Sequence, residues 1–190
     1  MPFFPSGQAA LILYGGAYEP AGPSIANLDF RMNNVATNAL GDGTLLMTTM
    51  DLPAGRTIST LYWLSGTTAL VNGATPHYWL ALFDSSRNLL RQSPDNTAKV
   101  IGASTVISDA LASPIVTTYA GQHYVGIMVA SGAGTQPTYT GFASLTAPMG
   151  LNSVGGGKFN GTSNTGLTTT APNPANPISQ TNPVPWVGVS

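Results

Sequence analysis

The sequence predicts an all-β protein: an antiparallel β-sandwich, jelly-roll-like, with extended N- and C-terminal arms. Three observations predict it. Runs dense in β-branched and aromatic residues fill the stretch from about 41 to 147, with apolar side chains at strand period. Turn signals separate these runs at the short, regular spacing of sandwiches and jelly rolls. The chain also holds 22 Gly and 15 Pro in 190 residues, well above the ordinary share of about 12%, which favours turns and arms over helices. The expected organisation is an N-terminal arm at 1–40 with room for a short strand, a sandwich at 41–147, and a C-terminal arm at 148–190.

Pro2, Pro5, Pro20 and Pro23 spoil any long helix in the first zone. Residues 44–51 (TLLMTTMD) make the first strand of the sandwich and end at the turn Leu52-Pro53-Ala54-Gly55. Residues 57–65 (TISTLYWLS) follow, then a loop, then 76–84 (PHYWLALFD), closed by Ser85-Ser86-Arg87-Asn88. Further strands are expected at 89–92, 115–119, 122–130 (QHYVGIMVA) and 136–145. The segment 96–113 is the one helix-compatible piece, through Ala98, Val100, Ile101, Ala110 and Leu111. In 76–84 one face carries Tyr78, Leu80 and Leu82 and the other Trp79, Ala81 and Phe83. Both faces are apolar, so such strands lie centrally in a sandwich or are covered outside by a neighbour or an arm.

Charge is scarce. Lys and Arg total 6, Asp and Glu 7, and the formal net charge is −1. Charged residues are 7% of the chain against roughly 25% in an ordinary domain. Nucleic acid and polybasic membrane contact are therefore excluded as expected partners, because both need clustered Lys/Arg. No apolar run approaches the ~18 residues of a membrane span. Met1-Pro2-Phe3-Phe4-Pro5 lacks a positive n-region, so no export signal is expected. With no cysteine there is neither disulfide nor thiolate chemistry.

No catalytic constellation is legible, and no enzyme, cofactor or metal is expected. His77 and His123 both sit in strand runs and read as structural. No Gly-x-Ser-x-Gly elbow accompanies them. Asp84, Asp95 and Asp109 lie in or beside turns; their side chains suit local backbone bonding better than a shared Ca²⁺. Gly155-Gly156-Gly157-Lys158-Phe159 lacks the earlier Gly and the following Ser/Thr of a phosphate loop and reads as a tether. Glu19, the sole glutamate, leaves no carboxylate pair of glycosidase type. Asn160-Gly161-Thr162 matches a glycosylation sequon. Tyr62, Trp63, Tyr78, Trp79, Tyr119, Tyr124 and Tyr139 are mostly core at strand period, with Trp63 and Trp79 the candidates for exposed contact or a glycan platform.

A surface of Thr, Ser, Asn, Gly and Ala suits permanent assembly, where buried unpaired charge is costly. The apolar, proline-stiffened ends fit the same idea. Phe3, Phe4 and Pro5 at one end, and Trp186, Val187 and Val189 at the other, are expected to anchor the arms on a partner or on a second copy. Cyclic self-association, a trimer included, would cover an outward tryptophan.

From Ile58 to Ala130 the chain resembles a β-sandwich domain of tailed-bacteriophage virion proteins, particularly those of actinobacterial hosts. The runs that carry the resemblance are ISTLYWLSGTTA, TPHYWLALFDSSRNLLRQSPD and TTYAGQHYVGIMVAS. Their marks are Leu82-Phe83-Asp84 before a short hairpin, Asp95 a few residues on, and Gly121-Gln122-His123-Tyr124-Val125-Gly126. The resemblance implies a virion structural protein at the capsid surface or on the tail. A head decoration protein bound to the major capsid protein is the main expectation, and a minor tail or receptor-binding protein that touches glycans the alternative.

Overall fold

A computed structural model describes residues 25–27, 35–142, 160–181 and 183–190. Among them there is no helix and there are thirteen strands: β1 Ile25–Ala26, β2 Val35–Ala39, β3 Thr44–Leu52, β4 Thr57–Leu64, β5 His77–Phe83, β6 Leu89–Gln92, β7 Val106–Val116, β8 Gly121–Ala130, β9 Thr138–Phe142, β10 Asn160–Thr162, β11 Ser179–Gln180, β12 Val184–Pro185 and β13 Val187–Val189. The protein is all-β, and every strand pairing is antiparallel.

Six strands form a folded ribbon. β5 pairs with β6, β4 with β7 and β3 with β8, nested about the β5–β6 hairpin. An added β5–β8 ladder places the first and third rungs in one sheet and leaves β4–β7 in another. A double ribbon rolled in this way is the jelly-roll principle. The first sheet runs β1-β13-β4-β7, the second β11-β10-β3-β8-β5-β6, and a small third β12-β9-β2.

Strand alternation then decides what faces what. Leu46 and Met50 of β3, Leu80 and Leu82 of β5, and Val125, Ile127 and Val129 of β8 meet Ile58, Leu61, Trp63, Val187 and Val189 of the first sheet in one buried cluster. The opposite side chains of the second sheet, Leu45, Met47, Trp79, Ala81, Phe83, Tyr124 and Met128, form a second cluster. Its cover is no sheet but an irregular strap, residues 163–178, which inserts Ala171, Ala175 and Ile178. The doubly apolar strands are thus covered on one side by a sheet and on the other by the chain's own C-terminal segment.

The two glycines of Gly121-x-x-Tyr-x-Gly have backbone and steric causes. Gly121 opens β8 at φ 122°, a region side chains disfavour. A Cβ on Gly126 would lie 2.8 Å from Leu45 Cδ1 and 2.9 Å from Phe83 Cε2. Asp84 closes the β5–β6 hairpin: Oδ1 accepts the amides of Ser86 and Asn88 at 2.8 Å each, and Oδ2 accepts the Asn88 amide side chain. The marks that carry the bacteriophage resemblance are devices of backbone geometry and packing.

Two expectations need correction. The helix-compatible segment 96–113 contains no helix, and its second half belongs to the eleven-residue strand β7. β7 is the outermost strand of the first sheet, so one face is exposed and small residues suffice there. Pro114 sits within its register shift, where Ile58 faces Ile115 but Thr60 faces Ala110, an irregular edge position that proline tolerates. The sheets also do not end at residue 147. β10 extends the second sheet, β12 joins the third, and β13 lies between β1 and β4 in the first. Four short strands that no local pattern announces make 160–190 part of the sandwich rather than an arm.

Candidate interaction surface

Nine charged residues fall among those described, and most are tied to the protein's own loops. Asp42 Oδ1 accepts the Ser131 amide at 2.8 Å and the Gln136 side chain, joining the β2–β3 turn to the loop after β8. Asp95 bridges His77 Nδ1 at 2.7 Å and the Tyr78 amide at 3.1 Å, pinning the chain after β6 to the start of β5. Lys99 Nζ lies 2.6 Å from Asp109 and 3.0 Å from the Ser108 carbonyl, and 5.1 Å from the Tyr78 ring centroid. Arg87 donates to the Ala175 carbonyl of the strap at 3.3 Å. Asp84, Asp95 and Asp109 therefore have three separate sets of partners, and no group of metal-ligating side chains occurs among the described residues.

The polar edge of the main core is built the same way. Trp63 Nε1 donates to Tyr78 Oη at 3.0 Å, both side chains buried. Burial first, and then the nearby Asp109 carboxylate, push the Tyr78 phenol well above the ordinary tyrosine value. Burial also raises Tyr124 and Tyr139.

Trp63 and Trp79, expected as exposed contacts, are each 0% exposed. Trp63 is central to the inter-sheet core, and Trp79 donates its Nε1–H to the Thr168 carbonyl at 2.7 Å beneath the strap. Tyr62, Tyr78, Tyr124 and Tyr139 are buried too; Tyr119 stacks on the His123 ring with centroids 4.4 Å apart. These aromatics form no open platform for a sugar.

The C-terminal anchors also turn inward. Trp186, Val187 and Val189 are buried in their own chain, and Val187 and Val189 pair with Trp63 and Leu61 of β4. The physical reason is the vacancy between β1 and β4: two valines one strand period apart fill it and complete the sheet. Phe3, Phe4 and Pro5 lie outside the described residues, as does the Gly155–Gly157 stretch. Asn160 of the sequon is buried, and its side-chain amide donates to the carbonyls of Thr181 and Pro183. It is not available as a glycan acceptor in this fold.

The histidines do not meet. His77 pairs with Ala130 at one end of the β5–β8 ladder, and His123 faces Met50 near the other end of β8. His123 is fully buried, with Nδ1 2.9 Å from the Gly121 carbonyl.

Among the described residues the large apolar side chains left outward are Val71, Val100, Val106 and Val116, and two of these share the outer face of β7. Val106 and Val116 are 46% and 52% exposed, and Ser108, Ala110 and Ala112 between them are exposed as well. The strand's single charge, Asp109, is held by Lys99. Val100, beside that lysine, is 83% exposed. An uncharged row flanked by valines is thus presented along the outermost strand of the first sheet. The signal for it was present in the alternation Val106-Ser108-Ala110-Ala112, obscured by the low strand propensity of serine and alanine. No family model matches this chain, and none of the curated proteins compared with it is significantly similar.

Proposed function

We propose that this protein is a non-enzymatic structural component of a tailed-bacteriophage virion, a head decoration protein that binds the major capsid protein lattice. The observation that carries the reading is the uncharged, valine-flanked face of β7, on a molecule whose charged side chains mostly fasten its own loops. Such a face loses little on desolvation and suits lasting contact with another uncharged surface. On a repeating lattice, weak contacts of this kind add through avidity. The resemblance of Ile58–Ala130 to virion sandwich domains supplies the setting.

The first test is the copy number of this chain in purified virions, by quantitative mass spectrometry against the major capsid protein. Hundreds of copies support the decoration reading. A handful places the chain at the tail or a unique vertex and overturns it, and absence removes the virion reading altogether. A second test concerns the surface. Val106→Asp with Val116→Asp should leave folding within about 0.5 kcal/mol and abolish binding to undecorated capsids; undiminished binding would remove β7 from the interface.

A further inference from the structure

The segment 160–190 behaves as a ligand of the rest of the chain. Apart from the β10–β11 hairpin, the Asn160 bonds to Thr181 and Pro183 and a few contacts around Asn164, its interactions are mostly with residues far away in sequence. It adds β10 to β3, lays the strap over the outer face of the second sheet, pairs β12 with β9, and inserts β13 between β1 and β4. Its last strand is held from both sides. Asn27 brackets Val187 through both its backbone amide and its side-chain oxygen, and the Ser190 carbonyl accepts the amides of Ser59 and Thr60. This is strand addition with alternate side chains in pockets, the mode by which sheets take extended peptides.

The only covalent path from β9 to this unit is the seventeen residues 143–159, a contour of roughly 60 Å when extended. Every contact the unit makes inside its own chain is available, unchanged, in an identical neighbour. We propose that 160–190 is an exchange unit, which passes to a second copy of this chain when copies are crowded. The proposal does not depend on what the assembly is. Docking of a segment within its own chain competes at an effective concentration of about millimolar. The closed monomer therefore dominates at micromolar protein, and exchange competes when neighbours are held in contact.

Because the chain has no cysteine, a disulfide reports the exchange directly. Ser190 and Thr60 face each other, with reciprocal backbone bonds of 3.0 and 3.1 Å. Thr60→Cys protein and Ser190→Cys protein are mixed, unfolded, refolded together and oxidised. The fraction of chains in the cross-linked heterodimer should rise about tenfold for each tenfold increase in concentration, levelling off towards about millimolar. A chain carrying both substitutions shows that the pair can close; if it does not, Gln92→Cys with Thr169→Cys replaces it, since the Gln92 side chain donates to the Thr169 carbonyl. A heterodimer yield no greater than that of two copies bearing Asp51→Cys, an exposed position, overturns the proposal. The unsubstituted chain gives an independent reading. Refolded near millimolar, it should yield a dimer that persists on dilution, and a purely monomeric product at every concentration also overturns the exchange. Failure here with many copies per virion would leave the decoration reading intact, and the converse result would separate them equally.

Discussion

The second sheet is covered twice, by two kinds of structure. Towards the first sheet its side chains interdigitate with those of another ladder, so most buried residues pack against neighbours fixed in paired strands. On the other side the cover is the strap, with Ala171, Ala175 and Ile178 as its buried side chains. Side-chain and backbone bonds to carbonyls and amides keep it in place, among them Trp79 to Thr168, Gln92 to Ala171 and Leu89 to Asn173. One surface is stabilised mainly by packed volume, the other by a few apolar plugs and a line of individual hydrogen bonds. The difference teaches where cooperativity resides. Damage to the inter-sheet core should be felt everywhere, and damage under the strap should stay local.

The largest effect is expected from Trp63→Ala. It empties the centre of the inter-sheet core and removes the donor to Tyr78 Oη, at a cost of about 3–5 kcal/mol. Urea unfolding should show one cooperative transition at a much lower midpoint. If the midpoint barely moves, the two sheets do not share a single core.

The next effect is one of pH. Tyr78, Tyr124 and Tyr139 have folded-state values raised above that of the unfolded chain. Their contribution to stability is fully present below the unfolded value of about 10. It is lost as pH rises above that value towards the folded-state one, because the unfolded chain releases its protons first. Thermal midpoints should therefore be insensitive to these groups at pH 7–9 and fall above about pH 10. A flat profile through pH 11 would mean that these phenols are not held neutral by burial.

Gly126→Ala tests the outer side of β8, where the new methyl meets Leu45 and Phe83. A loss of about 1–3 kcal/mol is expected, as for other overpacked sites. Adding Leu45→Ala should recover part of that particular loss, giving a favourable coupling in the double-mutant cycle. Strict additivity would show that the methyl is accommodated elsewhere. A more local effect belongs to Trp79→Phe, which keeps an aromatic ring but loses the bond to Thr168 and part of a fully buried indole. It should cost about 1–3 kcal/mol. Amide exchange should quicken in 163–178 before it does in β3, β5 or β8, and equal acceleration in both would erase the contrast drawn between the two covers.

These expectations also mark what was legible in the residues. β3, β5 and β8 follow from runs such as TLLMTTMD and QHYVGIMVA, because a strand buried on both faces must be largely apolar, and β4 and β6 follow from β-branched and aliphatic runs bounded by turn residues. The double apolar face of HYWLALF left two readings open, a central place in a sandwich or a cover outside, and the strap supplies the second. β7 was obscured because an outermost strand with one wet face can be built from Ser and Ala. The strands of 160–190 were obscured because two or three residues paired at long range leave no periodicity to read. The same locality hid the candidate surface. Trp63 and Trp79 look like the natural contacts of a sparsely charged protein, yet their size makes them the best fillers of the two interiors, and the outward role falls to Val106 and Val116.

By itself, then, the sequence determined the class of fold and the hairpin turns. Strand period, Gly121, Gly126 and Asp84 act within a few residues of backbone, or through packing that any sandwich demands. Only the tertiary structure decided that the proline-rich end closes its own sheet and that Asp95, Asp109 and Lys99 fasten loops. It alone left the uncharged face of β7 outward. Those outcomes depend on which distant segments share a buried space, and the energy of filling that space is not written in any one stretch of chain.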